Sequence, residues 1–241
     1  MTPRIHVERE LALGDAFELP AEQARHVQVL RLQPGGALTL FNGGGGEWQA
    51  RVAAMSRTGV RVEVLAAVDV DRELARPVTI ALGMPANERM DLFVEKATEL
   101  GVAAIQPLVC ERSVLRLAGE RASRRIARWH AIAVAASEQC GRTCVPALAP
   151  VLALERWLAG LPSPSGHTRR FMLDPEAALS WRTDLAGPAG TNLMVLSGPE
   201  GGFSAAEAEA GRRAGFTGVT LGPRILRADT APLALLATVP A

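Results

Sequence analysis

Two glycine-bearing stretches hold most of the chemistry in this chain, "LSGPEGGFSAAE" (196–207) and "LGPRILRADT" (221–230). Each follows an apolar run and precedes a helix start, so each reads as strand, glycine turn, helix. Such turns often hold phosphate on the bare N–H groups of the helix. Here the common phosphate motifs fail. A G-x-x-x-x-G-K-[ST] loop needs a lysine and a following hydroxyl, and "GPEGGF" has neither. The dinucleotide fingerprint G-x-G-x-x-G fails on the spacing of Gly198, Gly201 and Gly202. The carboxylate of Glu200 would also repel phosphate at close range. Glycine bares backbone N–H and C=O groups, and Pro199 stiffens the approach, so the loop suits a flat polar ligand that is neutral or cationic. Either turn alone reads better as an ordinary tight βα connection. Together, at the ends of successive parallel strands and beside Arg224 and Arg227, they mark a binding site.

The elements that position these loops are legible from residue 78 onward. "VTIALGM" (78–84) reads as a strand. The helix after it places Met90, Phe93, Val94, Ala97 and Leu100 on one face and stops at Gly101. A second strand follows over 102–109, which is a βαβ rhythm and predicts a parallel sheet. A helix over 121–138 carries an apolar stripe of Ile126, Trp129 and Ala133. Arg121, Arg124, Arg125 and Arg128 share another of its faces. A solvated surface and a nucleic-acid face both fit those arginines. A loop over 161–170 leads to a strand over 170–173, and further strands are expected at 193–197 and 218–222. Ser204 and Glu207 form an S-x-x-E capping box that starts a helix over 204–214, and Gly215 ends it. The last helix begins near Thr230, with Pro232 in its first turn, where a missing N–H does no harm. Residues 1–75 differ. "ALTLF", "EWQARVAAM" and "GVRVEVLAAV" alternate at the period of strands, "NGGGG" and "SRTG" divide them, and the pattern suits a small β-barrel. The charged, proline-ended "DRELARP" (71–77) reads as a linker, giving domains of 1–75 and 76–241.

Composition narrows the class. At 241 residues and 48% hydrophobic content the chain can bury a sizeable core. No apolar run approaches a membrane span, and "MTPRIHVERELALGD" lacks the apolar core of a secretion signal, so the expected address is the cytoplasm. Cys110, Cys140 and Cys144 are too few for a disulfide framework, and no second pair completes a zinc set, so no metal is expected. The net charge is +1, and Lys96 is the sole lysine. Nearly every positive charge is therefore an arginine, whose planar fork matches phosphate and stacks on bases.

Taken together, "LSGPEGGFS", "LGPRILRADT", "KATELGV" and "EQCGR" resemble the bacterial family that methylates N3 of a uridine in 16S ribosomal RNA, a branch of the SPOUT, or α/β-knot, methyltransferases. "RHVQVLRL" and "NGGGGEW" extend the likeness over nearly the whole chain. The resemblance implies an α/β fold: a knotted C-terminal SPOUT domain, its mostly parallel sheet flanked by helices, with a small PUA/OB-like RNA-binding barrel before it. In that fold about 222–241 threads through a loop of the preceding chain. It implies S-adenosylmethionine as cofactor, bound by Leu196, Gly198, Pro199, Glu200, Gly201, Leu221, Gly222, Ile225, Leu226 and Thr230. It also implies a homodimer acting on 16S rRNA, free or within the small ribosomal subunit.

The reaction so implied is displacement of a sulfonium methyl by uridine N3, which carries a proton at neutral pH. Arg227 is the candidate to stabilise charge on O2 or O4, and Asp229 or Glu200 the candidate to take the proton. Arg4, Arg25 and Arg31 on the barrel, Arg112 and Arg142 near the knot, and the stripe 121–128 are the candidate RNA contacts. Some positions depart from the family pattern. Ala86 and Asn87 stand where the family often has lysine and glycine, with Arg89 the available replacement. Asp229 stands where glutamate is common, and Ala231-Pro232 is unusual. Ribose 2′-O or guanine N1 methylation within the same knotted group is the nearest rival, although those relatives usually lack the barrel. A non-catalytic RNA-binding module is the other rival, and it requires both glycine loops to be empty.

Overall fold

Alternation of side chains sets the architecture of the first part of the chain. The computed structural model describes residues 2–164, 166–182, 187–188 and 190–240, so Ser165 of the expected 161–170 loop lies outside the described residues. The chain divides into two compact units, Met1–Arg72 with Val134–Val145, and Glu73–Ala133 with Pro146–Ala241. In the first unit β1 (Arg4–His6), β2 (Ala16–Glu18), β3 (Ala37–Phe41), β4 (Glu47–Met55) and β5 (Val60–Val68) form one sheet in the order β1-β3-β4-β5-β2. Along β5, Val60, Val62 and Val64 point inward and Arg61 outward, the period-2 pattern of a sheet with one buried face. Register shifts at Gln49/Ala50 and Val52/Ala54 bend the β4–β5 pair, as bulges do.

A helix that alternation did not reveal, α1 (Ala21–Val29), adds Ala24 and Val27 to the core built on Ile5, Leu38, Leu40 and Val52. Residues 134–145 also belong to this unit, although the sequence pattern attached them to what precedes them. Backbone polar groups explain why. His6 N donates to Glu138 Oε1 (2.9 Å), Arg72 NH1 to Gly141 O (2.8 Å), and Gly45 N to Thr143 O (3.3 Å).

The second unit is built on β6 (Val78–Gly83), β7 (Ala104–Val109), β8 (Ala147–Leu148), β9 (Leu152–Ala153), β10 (Thr168–Leu173), β11 (Asn192–Ser197) and β12 (Thr217–Val219). Every pairing is parallel, in the order β12-β10-β11-β6-β7-β8, with β9 also on β7. Near-continuous burial along β6 is what helices on both faces require. Those helices are α2 (Asn87–Glu99), α3 (Gly119–Cys140, of which Val134 onward belongs to the first unit), α4 (Leu154–Ala159), α5 (Ala205–Arg213) and α6 (Thr230–Leu236). Met90, Phe93, Val94 and Ala97 of α2 are fully buried, as their spacing predicts.

From β6 the chain moves outward through β7 to β8, then returns to fill the other side with β10, β11 and β12. The direction of winding reverses between β6 and β11. Open parallel sheets bind ligands outside the C-terminal ends of strands at such a switch point.

Candidate active site

The first glycine loop leaves the sheet at this switch point, and the second leaves edge strand β12 and returns toward it. Residues 198–203 follow β11, and residues 220–229 follow β12 and lead into α6. Gly83, at the end of β6, admits the first loop. A Cβ placed there would lie 2.6 Å from both Cδ and N of Pro199, so only glycine lets the proline pack against the strand end. Gly202 N donates to Pro199 O (2.8 Å), closing a turn. The capping box ends the loop: Ser204 Oγ accepts from Glu207 N (3.3 Å), and Glu207 Oε2 accepts from Ser204 N (2.9 Å). The other Glu207 oxygen accepts from Glu111 N (2.8 Å). The second loop turns at Gly222, whose φ of +108° is left-handed backbone. Ser197 Oγ donates to Ala228 O (3.4 Å), tying this loop to the end of β11.

The two loops line one cavity of about 950 Å³. Gly198, Pro199, Glu200, Gly201, Leu221, Ile225, Leu226 and Arg227 are all on its wall. Leu196, Gly222 and Thr230 are not. Leu196 is buried in the sheet core, Gly222 makes the turn and Thr230 opens α6. Wall residues the sequence did not single out include Asp174 and Glu176, which follow β10. The signal available for them was an acid–proline pair directly after an apolar strand. Gly198, Gly201 and Gly202 bare backbone on one part of the wall, and Asp174, Glu176 and Glu200 add carboxylates to it. The volume fits a nucleoside, and the carboxylates can face a positive charge on it.

Two carboxylates, Glu200 and Asp229, were candidates to take the proton, and the structure places them differently. Glu200 lines the cavity, and its Oε1 accepts from Ala86 N (2.9 Å), the N-cap position of α2, where an anion is favoured. Asp229 is not on the wall. It is 7% exposed, and both its oxygens lie 3.3 Å from Arg89 NH1. The guanidinium of Arg89 thus occupies the carboxylate that was a candidate to take the substrate proton. Arg227, the sequence candidate for stabilising charge on the base, is exposed and has no hydrogen-bond or ion-pair partner among the described residues. Cys110 lies behind Gly83. Burial, followed by the charge of Glu207, pushes its thiol up to about 12, so it stays protonated and is no nucleophile.

The expected RNA arginines also divide. Arg25 and Arg31, in the first unit, are exposed. Arg4 and Arg142 are not available to phosphate. The Arg4 side chain is 9% exposed, ion-paired to Glu47, and donates from NH2 to Arg142 O (2.9 Å); Arg142 itself is buried. Burial opposes ionisation of Glu47, yet hydrogen bonds from Arg4 and Arg72 hold its carboxyl below the usual range. Arg112 is exposed on the cavity wall and donates from NH1 to Gly201 O (3.0 Å). On α3, Arg121 and Arg124 are exposed, whereas Arg128 donates from Nε and NH2 to Asp91 Oδ2 (2.9 and 2.7 Å). Trp129 Nε1 takes the other oxygen of Asp91 (2.9 Å), so the end of the arginine stripe anchors α3 to α2. Among the described residues no group of histidine, cysteine and acidic side chains is arranged to hold a metal, and no helix is long and apolar enough to cross a membrane.

Against known proteins, a family model described as an RNA methyltransferase domain matches residues 72–240, and one described as an RNA methyltransferase PUA domain matches residues 19–65. Ribosomal RNA small subunit methyltransferase E of Bacillus subtilis is 31% identical over 96% of this chain and 92% of its own length. The protein of the same name from Synechocystis is 30% identical over 99% of this chain and 77% of its own. The crystal structure of ribosomal RNA small subunit methyltransferase E from Neisseria gonorrhoeae, bound to S-adenosylmethionine, superposes with a TM-score of 0.90. It is 36% identical and covers 98% of this chain and 96% of its own.

Proposed function

Because the chain belongs to the RNA methyltransferase family, we propose that it transfers a methyl group from S-adenosylmethionine to N3 of a uridine in 16S ribosomal RNA. The single observation that carries this reading is the meeting of two glycine loops, from strands on either side of β10, on one cavity at the sheet's switch point. Gly198, Pro199, Gly201, Leu221, Ile225 and Leu226 would hold the cofactor, with Leu196, Gly222 and Thr230 fixing the loops from behind. When bound, it supplies an electrophilic methyl on a positively charged sulfur.

The remaining work falls to this chain's own side chains. Arg227, exposed on the cavity wall with no partner among the described residues, is available to the incoming nucleotide. Glu200 keeps one oxygen on Ala86 N and has the other available for the N3 proton. Arg112 at the cavity, Arg121 and Arg124 on α3, and Arg25 and Arg31 of the first unit supply phosphate contacts, making RNA affinity salt-sensitive. The target base leaves its stack to reach a methyl in a cavity. Support for a threaded C-terminus comes from the path of residues 220–229, which run from edge strand β12 back to the end of β11. The same reading carries a homodimer and a cytoplasmic location, since its substrate is ribosomal RNA.

Mass mapping of methylated nucleosides in rRNA from cells with and without the protein tests the assignment. A methyl on N3 of one uridine, lost without the protein, is expected. A methyl on a ribose, on guanine N1 or on uracil C5 refutes it. Absence of saturable S-adenosylmethionine binding by calorimetry removes the enzyme reading altogether.

A further inference from the structure

Five arginines stand on the cavity wall, and their surroundings are not alike. Arg224 and Arg227 are exposed and have no partner among the described residues. Arg212 pairs with Glu209 on the surface of α5 (3.3 Å), and Arg112 is held by one backbone carbonyl. Arg89 differs from all of these. It lies in the first turn of α2, directly before the fully buried Met90, on a helix whose position in the sheet sandwich is fixed. Its NH1 sits between both oxygens of Asp229 (3.3 Å each), a carboxylate whose side chain is 11% exposed. Nε and NH2 have no partner among the described residues and belong to a residue that lines the cavity.

Two local rules are broken to produce this. A cation in the first turn of a helix faces the positive end of the helix dipole, which is unfavourable unless an acid is close. Asp229 is the N-cap residue of α6 and of a type that normally caps, yet its side chain makes no capping bond and is spent on Arg89 instead. The anchor is itself anchored, since the preceding carbonyl, Ala228 O, accepts from Ser197 Oγ. Donors fixed before the reaction, and costing no reorganisation during it, are what stabilise a developing oxyanion.

We infer that Arg89, positioned by Asp229, is the catalytic residue that binds the carbonyl edge of the target uracil as its ring becomes anionic. This rests on the uridine-N3 reading above, and it gives the charge-stabilising role to Arg89 where the sequence pointed to Arg227. In the step, the N3–CH3 bond forms and the S–CH3 bond breaks with its electron pair going to sulfur. The N3 proton passes to the free oxygen of Glu200. Negative charge spreads onto O2 and O4 as that proton leaves, and Nε and NH2 of Arg89 present two parallel donors to one of these oxygens, leaving N3 open to the methyl. Asp229 acts through Arg89 and is a positioning residue.

The test uses the full chain and unmethylated small-subunit RNA transcribed with uridine or with 5-fluorouridine, whose N3–H is more acidic and leaves less charge to stabilise. Arg89→Ala is expected to lower kcat by about 10²- to 10³-fold on uridine RNA. The loss should shrink several-fold on 5-fluorouridine RNA, and Kd for S-adenosylmethionine by calorimetry should stay within about threefold, since this donor acts on the base. Asp229→Asn should show a smaller loss with the same fluorine dependence. Should Arg89→Ala fail to fold by circular dichroism, Arg89→Lys carries the same comparison, because an ammonium keeps the charge and loses the fork. Equal losses on both RNAs, an unchanged kcat, or a cofactor Kd that rises in step with the lost rate would each overturn the assignment, the last by making Arg89 a reader of the cofactor carboxylate. Mapping the methyl made by the unaltered protein keeps the two readings apart. A methyl elsewhere than N3 refutes the underlying reading and this one with it, whereas N3 methylation with any of the three failures above refutes Arg89 alone.

Discussion

Replacing Gly83 by alanine tests whether the first glycine loop is held in place by its contact with the end of β6. The added Cβ would lie 2.6 Å from Cδ and N of Pro199 and 3.0 Å from Cys110 Sγ. Carbon contacts are comfortable from roughly 3.5 Å, so the proline must retreat by about 1 Å, and its backbone nitrogen cannot rotate out of the way. Overpacking of this kind costs about 1–3 kcal/mol. Against it stands a gain of about 0.4–1 kcal/mol from the lower entropy of an unfolded alanine, because Gly83 sits in ordinary strand backbone. The net expectation is a loss of roughly 1–2 kcal/mol in the unit carrying the parallel sheet, seen as a lower urea midpoint. Since Pro199 and Gly198 lie on the cavity wall, a retreat of that size should also weaken S-adenosylmethionine binding by at least about tenfold, equivalent to ~1.4 kcal/mol. Gly14→Ala is the control. Its φ of +84° strains an alanine by about 1–2 kcal/mol, nothing lies within 4 Å, and it belongs to the other unit, so cofactor affinity should not move. Calorimetric affinity for Gly83→Ala equal to that of the parent chain would refute the claim that this packing shapes the site.

Ser204→Ala removes the hydroxyl that caps α5 and should cost about 0.5–2 kcal/mol by urea titration, with Ser204→Asp restoring most of it. Arg25→Ala and Arg31→Ala should each flatten the slope of log RNA affinity against log salt by about 0.7–0.9 without changing stability. Arg4→Ala should do the reverse, lowering the melting temperature through the loss of its buried pair with Glu47 and leaving the salt slope alone. Two carboxylates of the first unit should give pH dependences of opposite sign. Glu47 is held below its ordinary value of 4.5, so its contribution is full above that value and lost as pH falls through the lowered one. Glu47→Gln should therefore melt lower at neutral pH, with the gap closing in acid. Burial raises Glu138, so its contribution is full in acid and lost as pH climbs from 4.5 through the raised value. Glu138→Gln should melt at or above the parent at neutral pH, provided the amide oxygen keeps the bond from His6 N.

What the sequence disclosed follows from how local each signal is. Capping by Ser204 and Glu207, the stop at Gly101 and the buried face of α2 depend on residues within a turn or two of one another, and the structure has all three. The glycine turns were legible for the same reason, and a shared site was expected of them because both lie at the C-terminal ends of parallel strands. The helix α1 escaped alternation because it contributes only Ala24 and Val27 to the core, two residues inside a stretch otherwise read as strands and turns. Arg4 and Arg142 read as RNA contacts because composition counts charge and cannot see burial. Each is enclosed by residues distant in the chain, Glu47 for one and the carbonyl-to-guanidinium contact between the pair for both. Arg89 shows the same limit from the other side. In the sequence it is a basic residue in a helix's first turn, a small electrostatic flaw. Its partner lies 140 residues later, at a helix start that gives up its own cap. Neither position is unusual alone. Only their contact turns two minor violations of local preference into a rigid donor on the cavity wall, and sites where such violations gather are where function is to be sought.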